Sequence, residues 1–322
     1  MSRRVLVTGA SGFAGANLVR RLLRDGHQTH VILRPQHDEW RLREIVSNLH
    51  VHNAALEDAA AVRAVVHSAK PEWVFHLAAH GAYPAQQGKA EMVATNIVGI
   101  TNLLDACADE GVEAFLHAGS SSEYGVRDRP AREDDAPDPN SYYAITKTAA
   151  SHYCRYVART RDVNAVVLRL YSVYGPWEQP SRLIPALALH AMRGTLPRLV
   201  TPETARDFVY VDDVVDAMLL AATTEGLPRG CLLNICSGRQ TTIGELVDLL
   251  RSRFAVTAEP AWGSMPARSW DTAVWCGNAD LTRRTLGWRA STDLEAGLRQ
   301  MIGWLQERPG LRNWYEQQRS VE

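Results

Sequence analysis

The chain has 322 residues, 46% hydrophobic and 22% charged, with 35 lysines and arginines against 36 aspartates and glutamates for a net charge of -1. That length suits two domains or one enlarged one, and arginines scattered among acids exclude a basic nucleic-acid surface as the expected feature. No run approaches the ~18 consecutive apolar residues of a membrane span, and the apolar stretch after Met1-Ser2-Arg3-Arg4 is broken by Thr8, Gly9, Ser11 and Gly12, which argues against export.

The five cysteines show no paired spacing and are expected as buried small hydrophobes of a reduced, cytoplasmic protein. Eleven histidines are dispersed, and His50 with His52 has no obvious third ligand, so no metal is expected.

"VLVTGASGFAG", Val5 to Gly15, predicts a strand, a tight turn and a helix continuing through Asn17 to Arg24. Further apolar strand-like runs follow at Thr29–Leu33, Leu49–His52, Trp73–Leu77, Ala114–Ala118 and Ala165–Leu170, separated by helical patterns at Ala59–Ser68, Val93–Ala108 and Tyr142–Arg159. The alternation predicts an α/β, Rossmann-type doubly wound parallel sheet with ligands at the carboxyl ends of its strands. After Gly175-Pro176 regularity is lost, except at Asp207–Ala222, where a short strand runs into a helix. The expected division is a dinucleotide domain over 1–171 with a return around 207–236, and a smaller mixed substrate domain over 172–206 and 237–322.

A glycine turn feeding a helix lets the backbone approach a pyrophosphate, and the free N–H groups of the helix favour negative charge. Gly9 allows the turn, Gly12 the close approach and Gly15 the packing of helix on strand; Ser11 and Phe13 belong to the same turn. At the end of the next strand an acid would accept from the 2'-hydroxyl of NAD, whereas Arg34 suits the 2'-phosphate of NADP. NADP(H) is therefore expected ahead of NAD(H). Asp58 is a candidate adenine contact and equally a helix cap.

In "PNSYYAITKTAA" Tyr143 and Lys147 are four apart and share a helical face, while Tyr142 points elsewhere; Asn140 or Ser141 is placed to cap that helix. A neighbouring ammonium stabilises a phenolate, which makes Tyr143 a plausible acid/base. "FLHAGSSSEYG" adds hydroxyls at the end of the fifth strand.

These residues, with "HLAA" at His76 to Ala79, "LRLYSVYGP" at Leu168 to Pro176 and "RDFVYVDDVVDA" at Arg206 to Ala217, resemble the extended short-chain dehydrogenase/reductases. More narrowly, they resemble the NAD(P)-dependent epimerase/dehydratases that act on nucleotide sugars. The resemblance implies Tyr143 as catalytic acid/base, Lys147 on the tyrosine and the nicotinamide ribose, and Ser120 as the catalytic hydroxyl. It implies cofactor contacts from Leu77, Ala78, Ala79 and Tyr171, and substrate contacts from Ser121, Ser122, Ser172, Arg206, Arg268 and Asp271, with Arg206 on the substrate diphosphate. It also implies a homodimer packed through the helices at 93–108 and 142–159, although Ile97, Ile100, Leu104, Ala149, Tyr153 and Val157 equally suit the sheet.

Departures narrow the reaction. The elimination acid of the family's dehydratases is replaced by Ser121 and Ser122, with Glu123 displaced by one, and on a strand such a shift reverses the side chain. The leading expectation is NADPH-dependent reduction of a 4-keto-6-deoxy nucleotide sugar, and the alternative is a 4-epimerase with retained NAD. A dinucleotide sensor without turnover and a ketoreductase of a non-sugar ketone are the remaining readings.

Overall fold

The computed structural model describes residues 2–83, 85–161, 163–265 and 272–319. In chain order it forms β1 (Arg4–Thr8), α1 (Phe13–Arg24), β2 (Gln28–Leu33), β3 (His50–Asn53), α2 (Ala59–Ala69), β4 (Trp73–His76), α3 (Lys89–Val93), α4 (Gly99–Glu110), β5 (Ala114–Ser120), α5 (Tyr142–Thr160) and β6 (Ala165–Leu170). There follow β7 (Ser172–Tyr174), α6 (Leu183–Ala191), β8 (Ala205–Arg206), β9 (Phe208–Tyr210), α7 (Val211–Thr223), β10 (Leu232–Ile235), β11 (Thr241–Thr242), α8 (Ile243–Arg253), α9 (Asp280–Leu286), α10 (Leu294–Gln306) and α11 (Pro309–Arg319).

Seven strands form one parallel sheet in the order β10-β6-β5-β4-β1-β2-β3. Successive side chains of a strand point to opposite faces, so Val5 and Val7 enter one core with Leu18 and Leu22 of α1 and Val214 and Met218 of α7. Leu6 enters the other with Val62 of α2, Leu103 of α4 and Val157 of α5. Because both faces are covered at the centre of the sheet, β1, β4, β5 and β6 read as largely apolar runs rather than alternating ones, whereas the edge strand β3 is mostly exposed. A third core lies among α6, α8 and α10, with Tyr174, Trp177 and Tyr315. The two small sheets pair β7 with β9 and β8 with β11.

Two elements differ from the sequence reading. Helix α1 starts at Phe13, with Gly12 as its N-cap, ahead of the expected Asn17. The helix expected at Val93–Ala108 is α3, a π-helical turn at Ala94–Val98 and α4, running from Lys89 to Glu110. The wide turn carries Asn96, 2% exposed, whose amide accepts from His80 N–H at 2.8 Å and donates to His80 O at 2.8 Å and Thr146 Oγ1 at 2.9 Å.

All five cysteines are free and buried. Among the described residues no helix is long and apolar enough to cross a membrane.

Candidate active site

The strand order reverses between β1 and β4, and the glycine turn leaves β1 at that point. Gly9 has φ +73°, and a Cβ there would lie 2.5 Å from Leu77 C and Ala78 N. The turn is thus pressed against "HLAA", with Thr8 O accepting from Leu77 N–H at 3.1 Å. A Cβ on Gly15 would meet Gly9 O at 2.1 Å, whereas one on Gly12 would meet only Gly9 O at 3.1 Å. Gly12 opens to space at the start of α1, where no side chain caps the helix. Uncapped N–H groups beside a position without Cβ fit a dinucleotide pyrophosphate. Arg34, exposed just beyond β2, lies near enough to His80 to oppose its protonation, after burial, which is the larger cause.

Helix α5 is capped by Ser141, whose Oγ accepts from Ala144 N–H at 3.1 Å. The cap sets the rotation that turns Tyr142 outward, 56% exposed, and Lys147 inward, 2% exposed. Burial pushes the Tyr143 phenol up to about 12, and the interaction with Ser120 opposes that shift. Burial brings the Lys147 ammonium down to about 8, opposed by the charge of Glu123. Lys147 Nζ donates to Ala118 O at 2.6 Å and lies 3.3 Å from His117 Nε2. The structure therefore joins Ser120, Tyr143 and Lys147 at the carboxyl end of β5, where the lysine meets Ala118 O and His117 Nε2.

Strand β5 ends at Ser120, and Ser121–Tyr124 is a 3₁₀ turn. Strand alternation therefore does not govern Glu123, contrary to the sequence argument; the turn does. Ser120 Oγ accepts from Ser122 N–H at 3.2 Å, Glu123 Oε1 accepts from Ser120 N–H at 2.8 Å, and the two form a capping box that rolls Glu123 inward. There Glu123, fully buried, pairs with Arg169 Nε at 2.9 Å and accepts from Ser151 Oγ at 3.0 Å. It is committed to the core. Ser122 Oγ lies 2.7 Å from Ser120 Oγ and shares its hydrogen bonding, while Ser121 is buried.

The other expected contacts are spread around this centre. Asp58 Oδ1 caps α2, accepting from Ala60 and Ala61 N–H. Tyr171 packs with Tyr124, Ala131 and Cys236, its hydroxyl without a partner in the described structure. Ser172 opens β7 and donates its N–H to Asp207 O at 3.0 Å. Arg206, in β8, donates to Ala205 O at 2.6 Å and faces the Trp275 ring at 5.6 Å. Arg268 and Asp271 lie outside the described residues.

Sequence reasoning missed three neighbours. Arg41, 4% exposed, donates to Trp177 O at 2.7 Å, Gln179 Oε1 at 3.1 Å and Ser11 O at 3.3 Å, tying the glycine turn to the segment before α6. Arg182, the N-cap residue of α6, favours ionisation of Tyr143 electrostatically. His117 sits under Lys147. None carries a local motif; each meets the site only through tertiary contacts.

A parallel sheet with its glycine turn at the switch point, and Ser, Tyr and Lys gathered at the strand ends, defines a dinucleotide-dependent enzyme that works on a carbon–oxygen centre. The family model described as "NAD dependent epimerase/dehydratase family" matches residues 5–236, and the chain belongs to that family. UDP-glucuronate 4-epimerase 4 of Arabidopsis thaliana is 29% identical over 327 residues, covering 93% of this chain and 74% of that protein. The solved UDP-glucose 4-epimerase of Thermotoga maritima, bound to UDP-glucose, superposes with TM-score 0.84 at 29% identity, covering 94% of this chain and 98% of that one. MoeE5 in complex with UDP-glucuronic acid and NAD gives TM-score 0.79 at 32% identity, covering 94% and 99%. The chain is thus a nucleotide-sugar-modifying enzyme of this family.

Proposed function

We propose that the protein is a 4-epimerase of UDP-hexoses that works with retained NAD, and that UDP-glucuronic acid is its substrate. The observation that carries this reading is the commitment of Glu123 to Arg169 beside an intact Ser120, Tyr143 and Lys147 set. It leaves a site equipped to move one proton at a ring hydroxyl, with Glu123, the acid nearest the catalytic hydroxyl in sequence, withheld from elimination. The names of the relatives support the reaction and the sugar. The expected reductase gives way to this reading, and NADP(H) to NAD, which MoeE5 binds.

NAD, which the glycine turn at Gly9, Gly12 and Gly15 would hold, would supply reversible hydride chemistry at C4. Tyr143 takes the proton of the C4 hydroxyl and gives it back after the keto sugar has turned over in the site. Ser120, fixed by Ser122, donates to the same oxygen. Lys147 supplies positive charge that favours the phenolate, and Arg206 serves the diphosphate. Val93, Val98, Tyr142, Ile145 and Tyr156 leave 40–63% of their surface exposed along the α3–α4 helix and α5, and this face is the proposed homodimer contact.

The test is incubation with UDP-glucuronic acid, and separately with UDP-glucose, without added reductant, followed by proton NMR of the product at C4. Conversion of UDP-glucuronic acid to its C4 epimer, abolished in Tyr143→Phe, is expected. Stoichiometric consumption of NADPH with a 4-keto sugar, and no epimerisation, would restore the reductase.

A further inference from the structure

Three positions in direct register across the middle of the sheet carry polar side chains: Thr8 on β1, His76 on β4 and His117 on β5. Thr8 Oγ1 lies 2.7 Å from His76 Nδ1, and the His76 and His117 rings stack with centroids 5.3 Å apart. His117 Nε2 then meets Lys147 Nζ at 3.3 Å. All four residues are at most 2% exposed. The line begins one residue before Gly9 and ends on the candidate catalytic lysine.

Two imidazoles inside a parallel sheet are expensive unless they stay neutral. Burial, and secondarily the Lys147 charge, brings His76 down to about 3 and holds His117 well below the ordinary imidazole range. An ammonium has only donors, so a neutral His117 must accept at Nε2 and carry its proton on Nδ1. Nδ1 of His117 and Nε2 of His76 have no hydrogen-bond partner among the described residues. An imidazole buried with one nitrogen unsatisfied points to a use for the other. Of the three ammonium protons, Ala118 O takes one and His117 the second, which leaves one for the reaction.

We propose that His117 is a positioning residue: as the neutral Nδ1-H tautomer, ranked in place by His76 and Thr8, it holds Lys147 so that a single N–H faces the site. The role rests on Lys147 and Tyr143 serving the proposed epimerisation. The groups facing Lys147 are His117 of β5, His76 of β4, Glu123 of the 3₁₀ turn, and Cys154 of its own helix; Arg169 of β6 is turned onto Glu123. Because His117 Nε2 accepts more strongly from the charged ammonium than from the neutral amine, its loss lowers the pH at which the ammonium is lost.

The experiment has two arms. In wild-type protein, two-dimensional NMR of ¹⁵N-labelled histidine reads the tautomer directly: His117 is expected neutral, with its proton on Nδ1, from pH 6 to 8. An Nε2-H or charged His117 would overturn the proposal, and this arm needs no variant to fold and no turnover. In the second arm, His117→Phe moves the alkaline limb of kcat to lower pH by about one unit, with KM for the nucleotide sugar within about twofold. His117→Gln, whose amide oxygen accepts, restores the limb. A folded His117→Phe with the limb unmoved would also overturn it. Should wild type epimerise nothing, the epimerase reading fails while the imidazole spectrum still decides His117.

Discussion

Replacing Arg169 by Met tests whether the Glu123 pair holds the floor of the site. The two side chains are 2% and 0% exposed with Nε and Oε2 2.9 Å apart. Without the guanidinium, Glu123 retains the Ser120 N–H at 2.8 Å and the Ser151 hydroxyl at 3.0 Å as donors, but loses its paired cation and keeps only the Lys147 charge, to which it is not hydrogen-bonded. Breaking a buried pair from one side costs about 3–5 kcal/mol, because the remaining charge stays in a medium that cannot solvate it. Adding Glu123→Gln removes that charge while an amide oxygen still accepts from Ser120, so the double variant is expected to recover about 2–3 kcal/mol of the loss. Urea unfolding followed by tryptophan fluorescence measures each, with the three variants forming a double-mutant cycle. The single variant should also lose turnover, since Glu123 anchors the backbone of Ser120. A loss below about 1 kcal/mol in Arg169→Met, or a double variant as unstable as the sum of the singles, would refute the reasoning.

The two inner glycines should separate binding from folding. Gly12→Ala meets only Gly9 O, at 3.1 Å, so it should keep its unfolding midpoint while NADH affinity, read by nicotinamide fluorescence, falls at least about tenfold. Gly15→Ala, 2.1 Å from the same oxygen, should lose stability as well. Arg34→Ala should weaken NADPH several-fold and leave NADH nearly unchanged, with wild type binding NADH at least as well; equal losses would detach Arg34 from the adenosine ribose. His30 is brought down to about 4, first by burial and then by His50 and His52. A base with a depressed folded pKa loses stability as pH falls from its unfolded value toward the folded one. The midpoint of His30→Val should therefore vary less between pH 6.5 and 4 than that of wild type, and an unchanged acid slope would count against this.

The sheet was legible because a parallel strand covered on both faces has no polar alternation to confuse it: β1, β4, β5 and β6 appear in the sequence as short apolar runs within a residue or two of their ends. The π-helical turn was not, since its cause is the Asn96 amide reaching His80 and Thr146 across the fold. His50 and His52 lacked a visible partner for the same reason: His30 joins them from β2, its Nδ1 3.0 Å from His52 Nε2, through strand register alone. No group of three or more ligating side chains able to hold a metal is formed among the described residues. Tyr143 and Lys147 were legible because helical spacing is local, while Arg41 and His117, equally close to the site, are placed by segments distant in sequence.

What separates the reactions open to this family is how the residues after the catalytic hydroxyl leave the strand. Had β5 continued past Ser120, Glu123 would have faced one side of the sheet by alternation and its reach could be argued from sequence. Instead the backbone turns immediately into a 3₁₀ segment whose first hydrogen bonds are made by the serine itself, and the carboxylate that closes the capping box is drawn beneath it onto Arg169. The hydroxyl and the acid are thus coupled: the same Glu123 oxygen that fixes the Ser120 N–H accepts from Ser151 on α5, one turn beyond Lys147. An acid so bound rigidifies the serine and the lysine helix together, which suits the proposed reaction, in which a proton returns to the oxygen and a hydride to the carbon that they left. Elimination requires a carboxyl free to move to a leaving hydroxyl, and Glu123 cannot leave without exposing the Arg169 charge to the core.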